Sequence, residues 1–408
     1  MGALSHIRVL DLSRVLAAPF ATQVLGDLGA EVIKIEKPGE GDETRAFGPP
    51  FLHDENGEAG DATYFLTANR NKKSVAIDFS KPEGAELVRR LARRAHVVVE
   101  NFKTDTLEKY GLGYQALSAE NPGLIYCSLT GFGHTGPYKN KAGYDYLIQG
   151  MGGLMSITGQ PDGAPGAEPM KVGVAISDLL TGLYTANAIQ AALIHQARTG
   201  EGQAIDMALF DCQAAALANQ AMNYLAGGML PQRLGNAHPN IVPYQVFATS
   251  DGHLILAIAN DGQFRRFCAA AGLQNLSGNA RYATNASRVA HREELIAQLT
   301  GVLAARSTSE WIALLEDANV PCGPINRIDQ VFADPQAQAR GLTVPMTRRQ
   351  TGPVTLVASP LRLEKTPPEY RNAPPLLGEH TREILTEILM LGAGDIARLV
   401  KDGIVAIR

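Results

Sequence analysis

Several kinds of chemical machinery are missing from this chain of 408 residues. Its four cysteines, Cys127, Cys212, Cys268 and Cys322, stand far apart and form no CxxC pair. That spacing argues against a thiolate metal knuckle or a disulfide scaffold and reads as reduced, buried thiols. The nine histidines are equally dispersed, with no HExxH, so no metal ligands are expected. A GxxxxGK[ST] phosphate loop and a GxSxG nucleophile elbow are both absent. Basic residues are not in excess: 37 Lys and Arg against 41 Asp and Glu leave a net charge of −4. A nucleic-acid partner is therefore not expected. No apolar run approaches the roughly 18 residues that cross a bilayer, so no membrane partner is expected either. The first residues run straight into a strand-like segment without a signal-peptide pattern. The expected compartment is the cytoplasm, an organellar matrix being the alternative for a processed chain.

What remains is an ordinary globular balance, 45% apolar and 19% charged, with length for roughly two or three domains. Short β-rich runs at 7–12, 31–36, 74–79, 96–100 and 124–129 alternate with helical stretches. One such helix follows Ser80-Lys81-Pro82-Glu83, which reads as a capping box. Its apolar residues Leu87, Val88, Leu91, Ala92 and Ala95 repeat with a helical period. Alternating strands and helices predict an α/β fold with a parallel, doubly wound, Rossmann-like sheet. The predicted organisation is a large domain over 1–200, a linker helix over 201–228 and a smaller α+β domain over 229–330. The segment 331–408 follows, with a proline-rich stretch at 366–375 and a final helix over 379–391.

Two motifs compete for the chemistry. Gly131-Phe132-Gly133-His134-Thr135-Gly136 is a literal GxGxxG after a strand. A dinucleotide loop of that kind must open a helix so that free N–H groups meet the phosphates. Pro137 and a run without helical period follow instead, which favours a glycine turn shaping a pocket over a nicotinamide oxidoreductase. The second motif is Ile176-Ser177-Asp178, where an extended segment becomes a long helix over 178–198. A carboxylate there is expected to be held ionised by the helix N-terminus. Asp178 then serves either as a nucleophile or as a plain helix cap.

Five stretches in order decide between these readings. They are Leu28-Gly29-Ala30-Glu31-Val32-Ile33-Lys34-Ile35-Glu36, Asn71-Lys72-Lys73-Ser74, Val99-Glu100-Asn101-Phe102, Ala142-Gly143-Tyr144-Asp145 and Thr199-Gly200-Glu201-Gly202-Gln203. With them the chain resembles the class III CoA-transferases (the CaiB/BaiF group, with the formyl-CoA and carnitine transferases) along nearly its whole length. Ile241-Val242-Pro243-Tyr244-Gln245 and Gly323-Pro324-Ile325-Asn326 are most similar to the succinate–hydroxymethylglutarate (glutarate) branch.

The resemblance implies that Asp178 attacks an acyl-CoA thioester. It implies coenzyme contacts at Leu16, Ala17, Lys37, Ile77, Asp78, Phe79, Ser80, Asn101, Phe102 and Lys109. Lysines 37 and 109 stand where the formyl-CoA enzyme has arginines, so a bidentate fork is lost. Asp145 falls on a second active-site carboxylate of the family, or is a turn former after Gly143. The alternative within the same superfamily is an acyl-CoA racemase, which has a histidine where Tyr144 stands; a phenol is a poor proton shuttle at neutral pH, which speaks against it. Gly262, in Ala259-Asn260-Asp261-Gly262-Gln263, matches a mobile glycine loop that covers the aspartate. The implied reaction moves CoA from succinyl-CoA to a short dicarboxylate such as glutarate, hydroxymethylglutarate, itaconate or malate. It needs no prosthetic group, and CoA thioester is a co-substrate. A distal carboxylate asks for a cation, and Arg70, Arg45, Arg233 and His238 are the candidates. A non-catalytic CoA-binding subunit is the reading from another class. The family also implies an interlocked-ring homodimer whose C-terminal segment returns to the large domain.

Overall fold

A computed structural model describes residues 1–54 and 56–408. The chain forms two compact units. One comprises Met1–Leu154, Val172–Met222 and Gln338–Arg408, the other Met155–Lys171 and Asn223–Ala337.

The first unit is built on a seven-stranded sheet: β1 (Arg8–Asp11), β2 (Glu31–Glu36), β3 (Lys72–Ile77), β4 (Val97–Glu100), β5 (Ile125–Thr130), β6 (Gln203–Ala208) and β7 (Val405–Ala406). Their spatial order is β7-β3-β2-β1-β4-β5-β6. All neighbours are parallel except β7, which pairs antiparallel with β3. The order reverses between β1 and β4. In open α/β sheets ligands bind beyond the strand C-termini at such a switch point.

Side chains on successive strand positions point to opposite faces. Val9, Val32, Val97, Val99 and Ile125 therefore fill one core, and Leu10, Ile33, Val98 and Tyr126 the other. Both faces are covered, which explains the near-continuous apolar runs. The helix Pro82–Ala92 lies on the second face through Leu87, Val88 and Leu91, together with Ile384 and Leu385 of Thr381–Glu387. Helices α1 (Ala17–Asp27), α2 (Asp145–Met151), α3 (Ile176–Thr199) and α4 (Leu209–Ala216) lie on the first, through Ala18, Leu25, Ile148, Ile189, Leu193 and Leu209. Gly182 lets α3 approach α1 closely: a methyl group there would stand 2.6 Å from the Ala17 carbonyl oxygen.

Beneath the strand ends lies a lattice of buried charge. Lys34 Nζ meets Asp42 at 2.9 Å and Lys72 Nζ meets Asp11 at 3.0 Å, all four side chains being 0% exposed. Lys34 also donates to the Ser13 carbonyl (2.7 Å) and Lys72 to that of Pro19 (2.8 Å). The Asp11 carboxylate accepts from the Ser13 N–H (2.9 Å) and the Thr22 hydroxyl (2.7 Å). These bonds tie the loop after β1 to β2 and β3. Buried ions are tolerable only with such complete pairing.

Several sequence expectations are corrected. The linker helix over 201–228 begins as strand β6 and continues as two short helices, α4 and Ala218–Leu225. The Ser80–Glu83 capping box does not form. The helix starts at Pro82, the Ser80 hydroxyl donates to Asp78 (2.5 Å), and Glu83 pairs with Arg398 at 2.5 Å. The final helix ends at Glu387, after which Ala393–Lys401 forms another helix and β7 closes the sheet edge.

The second unit has a three-stranded antiparallel sheet, Cys322–Pro324, His253–Ala257 and Tyr244–Ala248 in spatial order. Helices Asp261–Ala270, Arg292–Leu303 and Thr308–Asp317 bury Phe264, Phe267, Leu299 and Trp311 on it. The Trp311 indole donates to the Leu303 carbonyl (2.8 Å).

Candidate active site

Two adjoining hollows open at the switch point. The first, about 160 Å³, is walled by the loop after β1 (Arg14 to Ala17), by Asn101 and Phe102 after β4, by Thr130 and Gly131 after β5, by Lys139 to Tyr144, and by Asp178. The second, about 320 Å³, is walled by Leu12, Ile35, Lys37, Asp42 and the run Ile77 to Ser80. Arg14, Glu43 and Phe102 belong to both. Of the residues named from the sequence, the first hollow collects Asp178, Leu16, Ala17, Asn101, Phe102 and Tyr144. The second collects Lys37, Ile77, Asp78, Phe79, Ser80 and again Phe102.

Local chemistry explains these positions. The Asn101 carboxamide accepts the Arg14 N–H (2.8 Å) and donates to the Arg14 carbonyl (2.7 Å), locking the two switch-point loops together. Val15 sits at φ 69°, a left-handed conformation costly for a β-branched residue, and its N–H donates to Asp42 (3.2 Å). The Arg14 guanidinium lies 4.7 Å from the centre of the Phe102 ring, and Phe102 meets Phe79 edge-on at 5.7 Å. Gly131 and Gly143 touch backbone to backbone. A methyl group on Gly131 would lie 2.5 Å from the Gly143 Cα, so any side chain there would push the Tyr144–Asp145 segment off the wall.

Asp178 is the third residue of α3, in its first turn, rather than its cap. The expectation that the helix N-terminus holds its carboxylate ionised is overturned. The N–H groups of Ser177 (2.8 Å) and Asp178 (3.3 Å) both donate to Asp145 Oδ1. Asp145 thus caps α3 from a distant part of the chain. Gln149 holds it there, donating to Asp145 Oδ2 (2.7 Å) and accepting the Val172 N–H (2.9 Å). Ser177 is fixed in turn by its hydroxyl bond to buried Gln213 (2.7 Å). The Asp178 carboxyl is pushed up to about 7, by burial first and by the neighbouring Asp145 charge second. Burial and the charges of Asp178 and Asp145 also push the Tyr64 phenol up.

Other candidates line neither hollow. Arg70 is a structural cation: its guanidinium grips Asp27 at 2.8 and 2.5 Å and donates to the Val357 carbonyl (2.8 Å). Arg45 is buried against Glu36 (2.7 Å) and Asp61 (2.9 Å). Arg233 and His238 belong to the second unit. There Arg233 pairs with Asp162, and His238 Nδ1 accepts the Asn240 N–H at 3.0 Å. Gly262 sits in the first turn of a helix fixed by an Asn260–Gln263 capping box, so its segment is an ordered helix start rather than a glycine loop. Lys109 is exposed and lines neither hollow.

The cations that do line the first hollow are Arg14, Lys103, Lys139 and Lys141, which sequence reasoning missed. The Pro137 to Ala142 stretch carried the signal in its three nearby cationic and amide side chains, Lys139, Asn140 and Lys141. Among the described residues no group of three or more potential metal ligands occurs, and no helix is long and apolar enough to cross a membrane.

A doubly wound unit with a half-buried carboxylate on the wall of a hollow at its switch point places that carboxylate against a bound ligand. The chain belongs to CoA-transferase family III, matched over residues 4–381, and is a CoA-transferase that works on a CoA thioester. It is 54% identical over 385 residues to the succinate–glutarate CoA-transferase of Agrobacterium fabrum, covering 94% of this chain and 95% of that one. It is 44% identical to the succinyl-CoA:glutarate CoA-transferase of Homo sapiens, covering 98% and 90%. A crystal structure of a CAIB/BAIF family protein from Brucella suis superposes with a TM-score of 0.83 at 50% identity, covering 95% of this chain and 99% of that one.

Proposed function

We propose that this enzyme moves CoA from succinyl-CoA to glutarate or a similar short dicarboxylate, with Asp178 as the covalent carrier. The observation that carries the reading is the Asp178 carboxylate itself. It stands on the wall of the first hollow, half-buried and beside the Asp145 charge, with no hydrogen bond to its carboxylate among the described residues. In its ionised form it is the nucleophile. Its attack on the succinyl thioester carbonyl forms a mixed anhydride and expels CoA thiolate. The thiolate then attacks the aspartyl carbonyl, releasing succinate and leaving an aspartyl-CoA thioester. The acceptor carboxylate attacks that thioester, forming a second anhydride and expelling CoA thiolate, which attacks the acceptor's carbonyl to give the new acyl-CoA and release the Asp178 carboxylate. One thioester replaces another, so the overall step is nearly balanced without ATP.

The second hollow suits the nucleotide end of CoA. Leu12, Ile35, Ile77 and Phe79 supply an apolar cleft for a flat base, and Lys37 a charge for phosphate. The acceptor's distal carboxylate belongs with the lysines and Arg14 around the first hollow. The names of the relatives, which pair succinate or succinyl-CoA with glutarate, support the choice of donor and acceptor. Supplying succinyl-CoA with a panel of acids should give glutaryl-CoA fastest, followed by chromatography of the acyl-CoA products. Reaction with carnitine alone would overturn the substrate reading.

We also infer a homodimer. Tyr144, Tyr146 and Ile194 of the first unit are 71%, 62% and 65% exposed, large apolar side chains that a second copy of the chain would cover. Sedimentation at micromolar concentration should give the mass of two chains, and a folded monomer would refute the inference.

A further inference from the structure

Among the described residues, the two hollows share only Arg14, Glu43 and Phe102. A ligand that reaches from one hollow into the other must pass this junction. The junction holds an ion pair, in which Arg14 Nη1 donates to Glu43 Oε1. The two side chains remain 42% and 44% exposed. The backbone beneath them is fixed. Asn101 holds both the N–H and the carbonyl of Arg14. Glu43 opens the turn Glu43–Ala46, whose cap Asp42 accepts the Thr44 N–H (3.0 Å). Asp42 also accepts the Val15 N–H (3.2 Å), so one carboxylate anchors the chain beside each partner of the pair. Movement at the junction is left to the two side chains.

Glu43 does not saturate Arg14. The Arg14 Nε is buried and has no hydrogen-bond partner among the described residues, and an unmade bond of that kind costs free energy. The Phe102 ring, 4.7 Å from the guanidinium, is a platform that serves the cation whichever anion it faces. An exposed ion pair is a weak bond. A guanidinium bonded to a phosphate or carboxylate in a filled, drier site is a stronger one. An acyl-CoA with a dicarboxylic acyl group carries such anions on both sides of the junction, phosphates towards its nucleotide and a carboxylate at its acyl end.

We propose that Glu43 is a built-in counter-anion at the junction, holding Arg14 until a phosphate of the coenzyme or the distal carboxylate of the acid displaces it. The inference rests on the two hollows being the sites of the coenzyme and the acid. The ligand's affinity is then lowered by the strength of the pair it must break, and Glu43 reclaims Arg14 as the product leaves. Removing Glu43 should therefore tighten binding, which loss of a residue that merely supports the fold would not do.

Calorimetric titration with free CoA, together with the KM for glutarate at saturating succinyl-CoA, tests the exchange in Glu43→Gln, Arg14→Met and the double variant. Glu43→Gln should bind the displacing ligand about two- to fivefold more tightly, the strength of an exposed ion pair. Arg14→Met should bind it about tenfold more weakly, and in that background Glu43→Gln should change affinity by less than about twofold. A gain for CoA alone assigns the displacement to the coenzyme's phosphates, and a gain for glutarate alone assigns it to the acid's distal carboxylate. Unchanged or weaker affinity for both ligands in Glu43→Gln overturns the proposal. So does a gain that persists without Arg14, which would mark a general effect of charge on the rim. Should Arg14→Met fail to fold, Arg14→Gln takes its place in the same comparison. Failure of the wild type to bind CoA would overturn the coenzyme reading of the hollows and the exchange with it.

Discussion

Asp178→Asn should lower kcat for CoA exchange by about 10⁴-fold or more, with little change in the affinity for acyl-CoA. The magnitude follows from removing a covalent nucleophile whose neighbours cannot replace it. Asp145 stands closest in charge, yet its Oδ1 is engaged by the N–H groups of residues 177 and 178. Quenched mixing of wild type with acyl-CoA should yield a mass adduct on the peptide holding Asp178, and steady turnover with that peptide unmodified would end the mechanism. The pH dependence has a definite sign. Because the carboxyl is raised to about 7, the nucleophilic anion is lost as pH falls through 7. kcat/KM should then drop about tenfold per unit below that point. Asp145→Asn keeps an oxygen for the helix cap and removes the charge, so this limb should move to lower pH. Stability runs oppositely. A carboxyl raised on folding favours the fold when protonated and costs it stability as pH rises from its ordinary range through 7. Asp178→Asn should therefore be the more stable protein at pH 8, by about 2 kcal/mol after allowance for partial solvent screening, and equal to wild type near pH 3. Denaturant titration at the two pH values measures both.

Asp11→Ala should cost about 3–5 kcal/mol of folding stability, the effect of stranding a buried ion. Lys72 would lose the 3.0 Å partner that keeps its fully buried ammonium charged, and Ser13 and Thr22 would lose their acceptor. Burial already lowers Lys72 to about 8, against the pull of Asp11. Without Asp11 the amine should shed its proton at still lower pH, so the loss should be larger at pH 6 than at pH 9. Combining Asp11→Ala with Lys72→Met should recover part of it. A loss under about 1 kcal/mol would show that the lattice is not a coupled unit. Because the loop carrying Arg14 to Ala17 hangs from this lattice, acyl-CoA KM should rise in the single variant.

The alternation of strand and helix was legible because its signals are local. Glu31–Glu36 is a strand end to end, as its β-branched run between Gly29 and Pro38 implies. The chemistry of Asp178 was half legible. Its place at a helix start could be read from Gly173 to Leu180, but its ionisation depends on burial in the folded unit and on Asp145, a partner 33 positions away. The local reading gave the helix donors to the wrong carboxylate. The acceptor cations failed for a related reason. Arg70 and Arg45 look free in sequence, yet their acids, Asp27 and Glu36, meet them only once β2 and α1 are in place. The strand Val405–Ala406 carries no pattern of its own; it exists because β3 offers an unpaired edge.

That edge strand has a consequence for how the enzyme is made. Its first unit is assembled from three separate stretches, the last of them beginning at Gln338. While the polypeptide emerges from the ribosome, the second unit holds all its parts by Ala337 and is free to condense early. The half that carries Asp178 must stay incomplete, with Ala76 and Ile77 lacking their partner strand, until Val405 arrives. Nascent chains stalled before that residue are the form of this protein most in need of a chaperone.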